Sequence, residues 1–156
     1  MTTSINQRSL YQQVILDHSK KPRHRGKTNP VHGYHRGHNP LCGDTIELTV
    51  QLNQTGDRIC DVKFEGQGCA IAIASADLMA DAVRGKSVEE ALSMVQRFRG
   101  MVMGQHQFPQ DLQKLNILQG ISQFPVRIKC ATLCWHTLQA ILELSQVAAP
   151  TEDKLE

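Results

Sequence analysis

The stretch TIELTVQLNQTGDRICDVKFEGQGCA, residues 45–70, decides the fold class. Ile46, Leu48, Val50 and Leu52 alternate with Thr45, Glu47, Thr49 and Gln51, the two-residue period of a strand with one buried face. Gln54-Thr55-Gly56-Asp57 is turn chemistry, and Cys60, Val62 and Phe64 alternate again, so the segment reads as an antiparallel hairpin. On that alternation Cys60 falls on the apolar side, where a cysteine acts as a small core hydrophobe. Gly66-Gln67-Gly68 then turns the chain into an alanine-rich helix from Ala70 to Arg84, closed by Gly85. Cys69 is thereby placed at a helix N-terminus.

Helices are expected on both sides of this hairpin. Leu10, Tyr11, Val14 and Ile15 recur at helical spacing, predicting an amphipathic helix over about residues 5–19. Downstream, Ser87 and Glu90 form a capping box for a helix whose stripe of Leu92, Val95 and Phe98 ends at Gly100. Met101 to Gln107 reads as a loop with methionine gap-fillers, and Pro109 to Leu118 as a short helix carrying Leu112, Leu115 and Leu118 on one face. Pro125 suits a first helical turn, and Ala131, Cys134, Leu138, Ile141 and Leu142 mark one face of a helix running to about Val147. Cys130 lies in its early turns, Cys134 is expected to pack in the core, and His136 to be exposed. Residues 1–148 read as one domain and 149–156 as a disordered tail.

Between Lys20 and Arg36 stand six basic residues and no acid, with His24, His32, His35 and His38 interleaved or adjacent and Pro22, Gly26, Pro30, Gly33 and Gly37 interrupting. The segment 20–38 reads as a solvated, mobile basic loop, with an acidic docking partner as the functional alternative. A nucleic-acid contact is the weaker reading, since Tyr34 is the one aromatic in the loop and the formal net charge of the chain is only +2. The histidines share no helical or strand face that would make them a metal site.

The chain has 156 residues, 40% of them apolar and 21% charged, which excludes a collagen-like or generally disordered class. No apolar run approaches the roughly 20 residues of a membrane span, and Met1 to Arg8 has no apolar signal core, so a cytoplasmic location with neither membrane nor nucleic-acid partner is the expectation. Five cysteines in that setting argue against a disulfide framework and leave ligands, nucleophiles and core filler.

Cys42, Asp44, Cys69 and Cys130 are the candidate centre. Cys42 and Asp44 lie in the turn sequence Asn39-Pro40-Leu41-Cys42-Gly43-Asp44, and Cys69 and Cys130 in or before early helical turns. Thiols at element ends are presented to solvent, and helix N-termini lower their pKa. Three thiolates and a carboxylate match the four-coordinate preference of zinc. Such a set leaves a net charge of about −2 around a divalent ion, for which Arg127 and Lys129, flanking Cys130, are the nearest balancing cations.

Tyr11 to His18, Asn39 to Asp44, Gly66-Gln67-Gly68-Cys69-Ala70-Ile71 and Ser122 to Ala131, with Trp135 following, resemble the SufU branch of the NifU/IscU iron–sulfur cluster assembly family. The resemblance spans about Leu10 to Leu142. It implies an α+β fold of the SufE/NifU (IscU-like) type, a small antiparallel sheet of about three strands with helices on one face and the metal site at its exposed edge. It also implies a zinc-dependent sulfurtransferase, with zinc held by Cys42, Asp44, Cys69 and Cys130. A SufS-type cysteine desulfurase would pass persulfide sulfur to Cys42, and downstream iron–sulfur assembly proteins would receive it. The alternative within the family is a scaffold that builds a transient [2Fe-2S] cluster, or holds iron, on Cys42, Cys69 and Cys130. Lys129 stands where the scaffold branch has histidine, and the stretch from Met101 to Gly120 resembles the SufU insertion. Both favour sulfur transfer.

Overall fold

The hairpin read from residues 45–70 is the centre of the sheet seen in the computed structural model, which describes residues 2–155, with side chains described from 9 to 144. Strands β1 (Gly33–Asn39), β2 (Asp44–Leu52) and β3 (Ile59–Gln67) pair antiparallel in the order β1-β2-β3. Helix α1 (Thr2–Lys20) precedes them; α2 (Ala70–Val83), α3 (Val88–Val102), a 3₁₀ segment (Gln110–Ile121) and α4 (Pro125–Leu155) follow. Ile46, Leu48 and Val50 face Gly66, Phe64 and Val62 across β2–β3, and these apolar side chains are buried against the helices. Trp135 of α4 stacks on Phe98 of α3 with ring centroids 4.5 Å apart, joining the helical layer. The expected disorder of 149–156 falls among residues whose side chains lie outside the described range.

Cys60 is not core: it is exposed while Ile59, Val62 and Phe64 are buried. Gln51 pairs with Asp61 and Leu52 with Ile59, so Cys60 is the unpaired residue of a β-bulge. A bulge adds one residue and reverses the side-chain parity beyond it, which the plain alternation could not reveal. Cys134 is buried as expected, with its sulfur 3.5 Å from Ser75 Oγ. Burial pushes its thiol up to about 12, against smaller lowering effects of the Ser75 and backbone hydrogen bonds.

The basic segment is neither wholly loop nor free. Its last part is β1, a strand without an apolar alternation because α4 lies directly on its backbone. A Cβ at Gly33 would overlap Ile141 Cγ2, and one at Gly37 would overlap Thr137 Oγ1 and stand 3.0 Å from Leu133 Cδ1. Upstream, the buried Asp77 carboxylate on α2 accepts hydrogen bonds from the backbone N–H groups of Arg23 (2.8 Å) and His24 (2.9 Å) and from His18 Nδ1 (2.5 Å). Beyond that anchor, Gly26 N donates to Phe64 O and Phe64 N to His24 O along the outer edge of β3, and Thr28 N then donates to Thr49 Oγ1. Arg23 pairs with Asp17, Arg25 approaches Glu65 and lies over the Phe64 ring, and Arg36 approaches Glu47. Much of the charge in this segment is thus engaged within the chain. His32 Nδ1 accepts from Leu52 N, and His38 Nδ1 lies 3.0 Å from Thr45 Oγ1.

Two helix ends also differ from expectation. Helix α3 continues through Gly100 to Val102, burying Met101 and Val102. A Cβ at Gly100 would stand 2.5 Å from His106 Cδ2, so this glycine serves close packing, and Gly104, at φ +84°, takes up the left-handed conformation after the helix. Leu112, Leu115, Leu118 and Ile121 recur at every third residue, the period of a 3₁₀ helix rather than an α-helix, and the last three are buried. Among the described residues no helix is long and apolar enough to cross a membrane.

Gly37→Val is expected to destabilise the fold by about 1–3 kcal/mol through overpacking against α4. Arg36→Val, facing the other way on the same strand, should stay within ~0.5 kcal/mol of the parent. Urea unfolding midpoints of the two variants check this. At pH 8 a thiol titrating near 12 is thiolate in about one molecule in ten thousand, so iodoacetamide should label Cys134 at least ~100-fold more slowly than the exposed Cys60. Labelling of Cys134 in native protein should climb roughly tenfold per pH unit below that value. Peptide mass mapping of timed samples reads both rates.

Candidate metal centre

The short turn between β1 and β2 presents the first two residues of the centre. Gly43 N donates to Asn39 O at 2.8 Å and Leu41 N to Asn39 Oδ1 at 3.2 Å, closing the turn around a buried asparagine. Gly43, at φ +71° and with nothing within 4 Å of a Cβ built there, supplies the left-handed step that a side chain would resist. Cys42 is left half-buried at the tip, and Asp44, the first residue of β2, is fully buried.

The loop leading into α2 is fitted onto the start of β2 by two further glycines. A Cβ at Gly66 would overlap Thr45 O, and one at Gly68 would stand 2.7 Å from Asp44 Oδ1. That close approach lets Cys69 N donate to Asp44 Oδ1 at 2.9 Å. Cys69 is the N-cap residue of α2, its side chain making no capping hydrogen bond, so the thiol stands exposed at the positive end of the helix.

Helix α4 brings the last thiol from the other side. Cys130, buried in the second turn of α4, places Sγ 3.0 Å from Cys42 Sγ and receives Asn39 Nδ2 at 3.9 Å. A sulfur of each cysteine and a carboxylate oxygen of Asp44 lie within 4.8 Å of one another. Burial drives the Cys130 thiol well above the ordinary range, with Cys42, Asp44 and Cys69 pushing the same way as neighbouring acceptors. Asp44 Oδ2 is buried and has no hydrogen-bond partner. A buried carboxylate with one oxygen unpartnered, grouped with two sulfurs, is a costly arrangement that a bound cation relieves, and the mixed sulfur and oxygen donors fit a borderline divalent metal.

Of the sequence candidates, then, Cys42, Asp44 and Cys130 converge, while Cys69 stands at the rim, joined to the group through its backbone N–H. Arg127 and Lys129 are exposed, and Arg127 lies 4.7 Å over the Phe124 ring rather than against a ligand. Asn39 is the contact that sequence reasoning missed; an asparagine before proline signals a turn, and nothing in the sequence says that its amide reaches a cysteine of α4. Tyr11 of α1 is also near, its phenol held up by burial, with Arg127 lowering and Cys69 raising it.

The chain matches the NifU-like N terminal domain family over residues 10–131. It is similar to the zinc-dependent sulfurtransferase SufU of Bacillus subtilis (strain 168), with 46% identity over 140 residues that span 89% of this chain and 93% of that protein. It is also similar to the iron–sulfur cluster assembly scaffold protein IscU of Streptococcus pyogenes serotype M1, with 43% identity over 93% of this chain and 90% of that one. Among solved structures, one described as a SUF-system scaffold protein from Fervidobacterium islandicum AW-1 shares 36% identity at a TM-score of 0.77, covering 86% of this chain and 97% of that one. A NifU-like N-terminal structure from Brucella abortus shares the fold at a TM-score of 0.78 with 17% identity, over 88% of this chain and 94% of that one. The three-stranded sheet with its helical layer and the match over residues 10–131 give one conclusion: the chain belongs to the NifU-like N terminal domain family.

Proposed function

We propose that this protein serves iron–sulfur cluster assembly as a zinc-dependent sulfurtransferase, taking persulfide sulfur from a cysteine desulfurase onto Cys42. The observation that carries the reading is the Cys42–Cys130 sulfur pair at 3.0 Å grouped with the buried Asp44 carboxylate, one oxygen of which has no partner. The 46% identity with a protein named for that activity supports it.

Cys42, Asp44 and Cys130 are the residues that would hold the zinc, with Cys69 as the fourth ligand from the N-terminus of α2. Bound there, zinc supplies the positive charge that keeps these thiols as thiolates. The start of α2 adds a helix-end dipole, and Arg127 and Lys129 add surface cations beside Cys130. Cys42 is the ligand placed to react, because it is half-buried on a turn while Cys130 is buried in a helix. In the transfer the Cys42 thiolate attacks the outer sulfur of the donor's cysteine persulfide. A new sulfur–sulfur bond forms on Cys42, the donor's sulfur–sulfur bond breaks, and the donor cysteine leaves as a thiolate. The SufS-type desulfurase and the downstream assembly proteins are the partners this chemistry calls for, and the domain of residues 1–148 working in the cytoplasm is the setting.

A second reading, a scaffold that assembles a [2Fe-2S] cluster on Cys42, Cys69 and Cys130, is favoured by the relatives named as scaffolds. Here the cluster is cargo and the same thiols are its ligands.

Freshly purified protein should contain about one zinc per chain by elemental analysis, the occupancy of a single four-ligand site. It should stimulate cysteine desulfurase turnover, and Cys42→Ala should remove that stimulation; stimulation left intact in the variant contradicts a sulfur acceptor at Cys42. Anaerobic reconstitution with iron and sulfide separates the two readings, since a stable visible chromophore transferable to an apo-ferredoxin supports the scaffold.

A further inference from the structure

The two contacting thiols of the centre differ in one hydrogen bond. Among the described residues Asn39 Nδ2, which donates to Cys130 Sγ at 3.9 Å, is the only N–H donor to a sulfur of the centre, and Cys42 Sγ has none. The orientation of that amide is fixed at its other end. Asn39 Oδ1 accepts from Leu41 N at 3.2 Å, an Asx turn, so the amide oxygen belongs to the turn and the NH2 group is left for the cysteine of α4. Pro40 favours extended backbone at Asn39, whose own carbonyl accepts from Gly43 N at 2.8 Å. Asn39 is buried and stands directly opposite Asp44 in the β1–β2 register. One residue therefore ties the turn that carries Cys42 to the helix that carries Cys130.

We propose that Asn39 is a positioning residue that makes these two thiols unequal: its amide N–H engages Cys130 Sγ, holding Cys130 as the retained metal ligand and leaving Cys42 as the thiolate that takes up sulfur. A metal-bound thiolate keeps lone pairs that can attack an electrophile. A hydrogen-bond donor on one of those pairs stabilises it and makes it less nucleophilic, as donors around metal sites tune their ligands generally. Three thiolates and a carboxylate are all anionic donors to a metal, so a neutral amide, which donates without giving up a proton, can favour one sulfur over another. Burial limits the access of reagents to Cys130, and the hydrogen bond acts on the reactivity that remains. Asn39 acts through Cys130 and not on the incoming sulfur. The inference rests on the proposed zinc centre with Cys42 as its acceptor.

The test uses the full chain loaded with metal, with no desulfurase present. Spin-active cadmium in the centre should show a scalar coupling to an Asn39 side-chain amide proton, which an N–H···S bond to a ligated sulfur transmits. Two variants separate this bond from the turn. Asn39→Asp keeps an acceptor for Leu41 N and the shape of the side chain but has no N–H, and Asn39→Ser keeps a shorter, uncharged acceptor. In the zinc-loaded form of each, N-ethylmaleimide should modify Cys130 roughly three- to tenfold faster than in the parent, the effect of one lost hydrogen bond, while the Cys42 rate changes less than about twofold. With cobalt in place of zinc, the sulfur-to-metal charge-transfer band should move to lower energy in both variants. Turn capping alone predicts that Asn39→Asp matches the parent in rate and spectrum. That match, or a cadmium spectrum without the Asn39 coupling, overturns the proposal, and the coupling is read in the parent, so no variant need fold. A parent that takes up neither zinc nor cadmium sinks the proposed centre as well, whereas a parent that binds metal with Asn39 uncoupled sinks this inference alone.

Discussion

The hydrogen bond from Cys69 N to Asp44 Oδ1 is the contact on which the centre depends. It spans a loop that begins at the end of β3 and fastens the N-terminus of α2 to the start of β2. Asp44 is fully buried, and a carboxylate in that position is sustained only by donors or a cation. One of its oxygens has the backbone donor; the other is buried without a partner. The same side chain therefore sets the position of Cys69 through one oxygen and contributes a carboxylate oxygen to the group with Cys42 and Cys130. Gly68 is part of this contact, because any side chain there would meet the carboxylate.

The opposite wall is set by how closely α4 lies on β1. Glycines at positions 33 and 37 let the helix rest on strand backbone, and Leu133, Thr137 and Ile141 fill the space their side chains would occupy. Cys130 lies one helical turn before Leu133, so that seating brings it within reach of the β1–β2 turn. The Asn39 amide, directed at Cys130 Sγ from the end of β1, continues the same contact surface to the centre. Fold stability and centre geometry are thus coupled through a helix–strand interface without large side chains on the strand.

How far the sequence could be read follows from which signals are periodic. The β2 alternation, the capping box at Ser87 and Glu90 and the stripe from Ala131 to Leu142 each follow the period of their element, and each forms as expected. Cys60 failed because a bulge changes parity without changing composition. β1 went unread because its glycines answer to a helix distant in sequence, and no local pattern encodes that. The 3₁₀ segment carried its signature in the three-residue spacing of its leucines, which resembles a helical stripe over so short a run. At the centre, the residue types and their turn positions were legible, whereas the Asn39 contact and the exposure of Arg127 depend on tertiary placement. Burial of His24 and Thr28 in the basic segment likewise depends on strand β3 and helix α2, whose Asp77 accepts the backbone donors that a free loop would give to water.

The centre is asymmetric in a way that suits exchange more than permanent structure. Cys130 is held in a helix and buried, Asp44 begins a strand, and Cys69 caps a helix, so three of the four candidate ligands lie in or at the end of a regular element. Cys42 alone stands in a turn, beside a glycine with open space around it. A carboxylate is a harder donor than a thiolate and holds a borderline metal less tightly than a fourth cysteine would. Purely structural zinc sites have the reverse character, closed and commonly rich in cysteine. Here the donor on the turn is the one with freedom to leave and return, while the strand and helix ends hold the other donors in place.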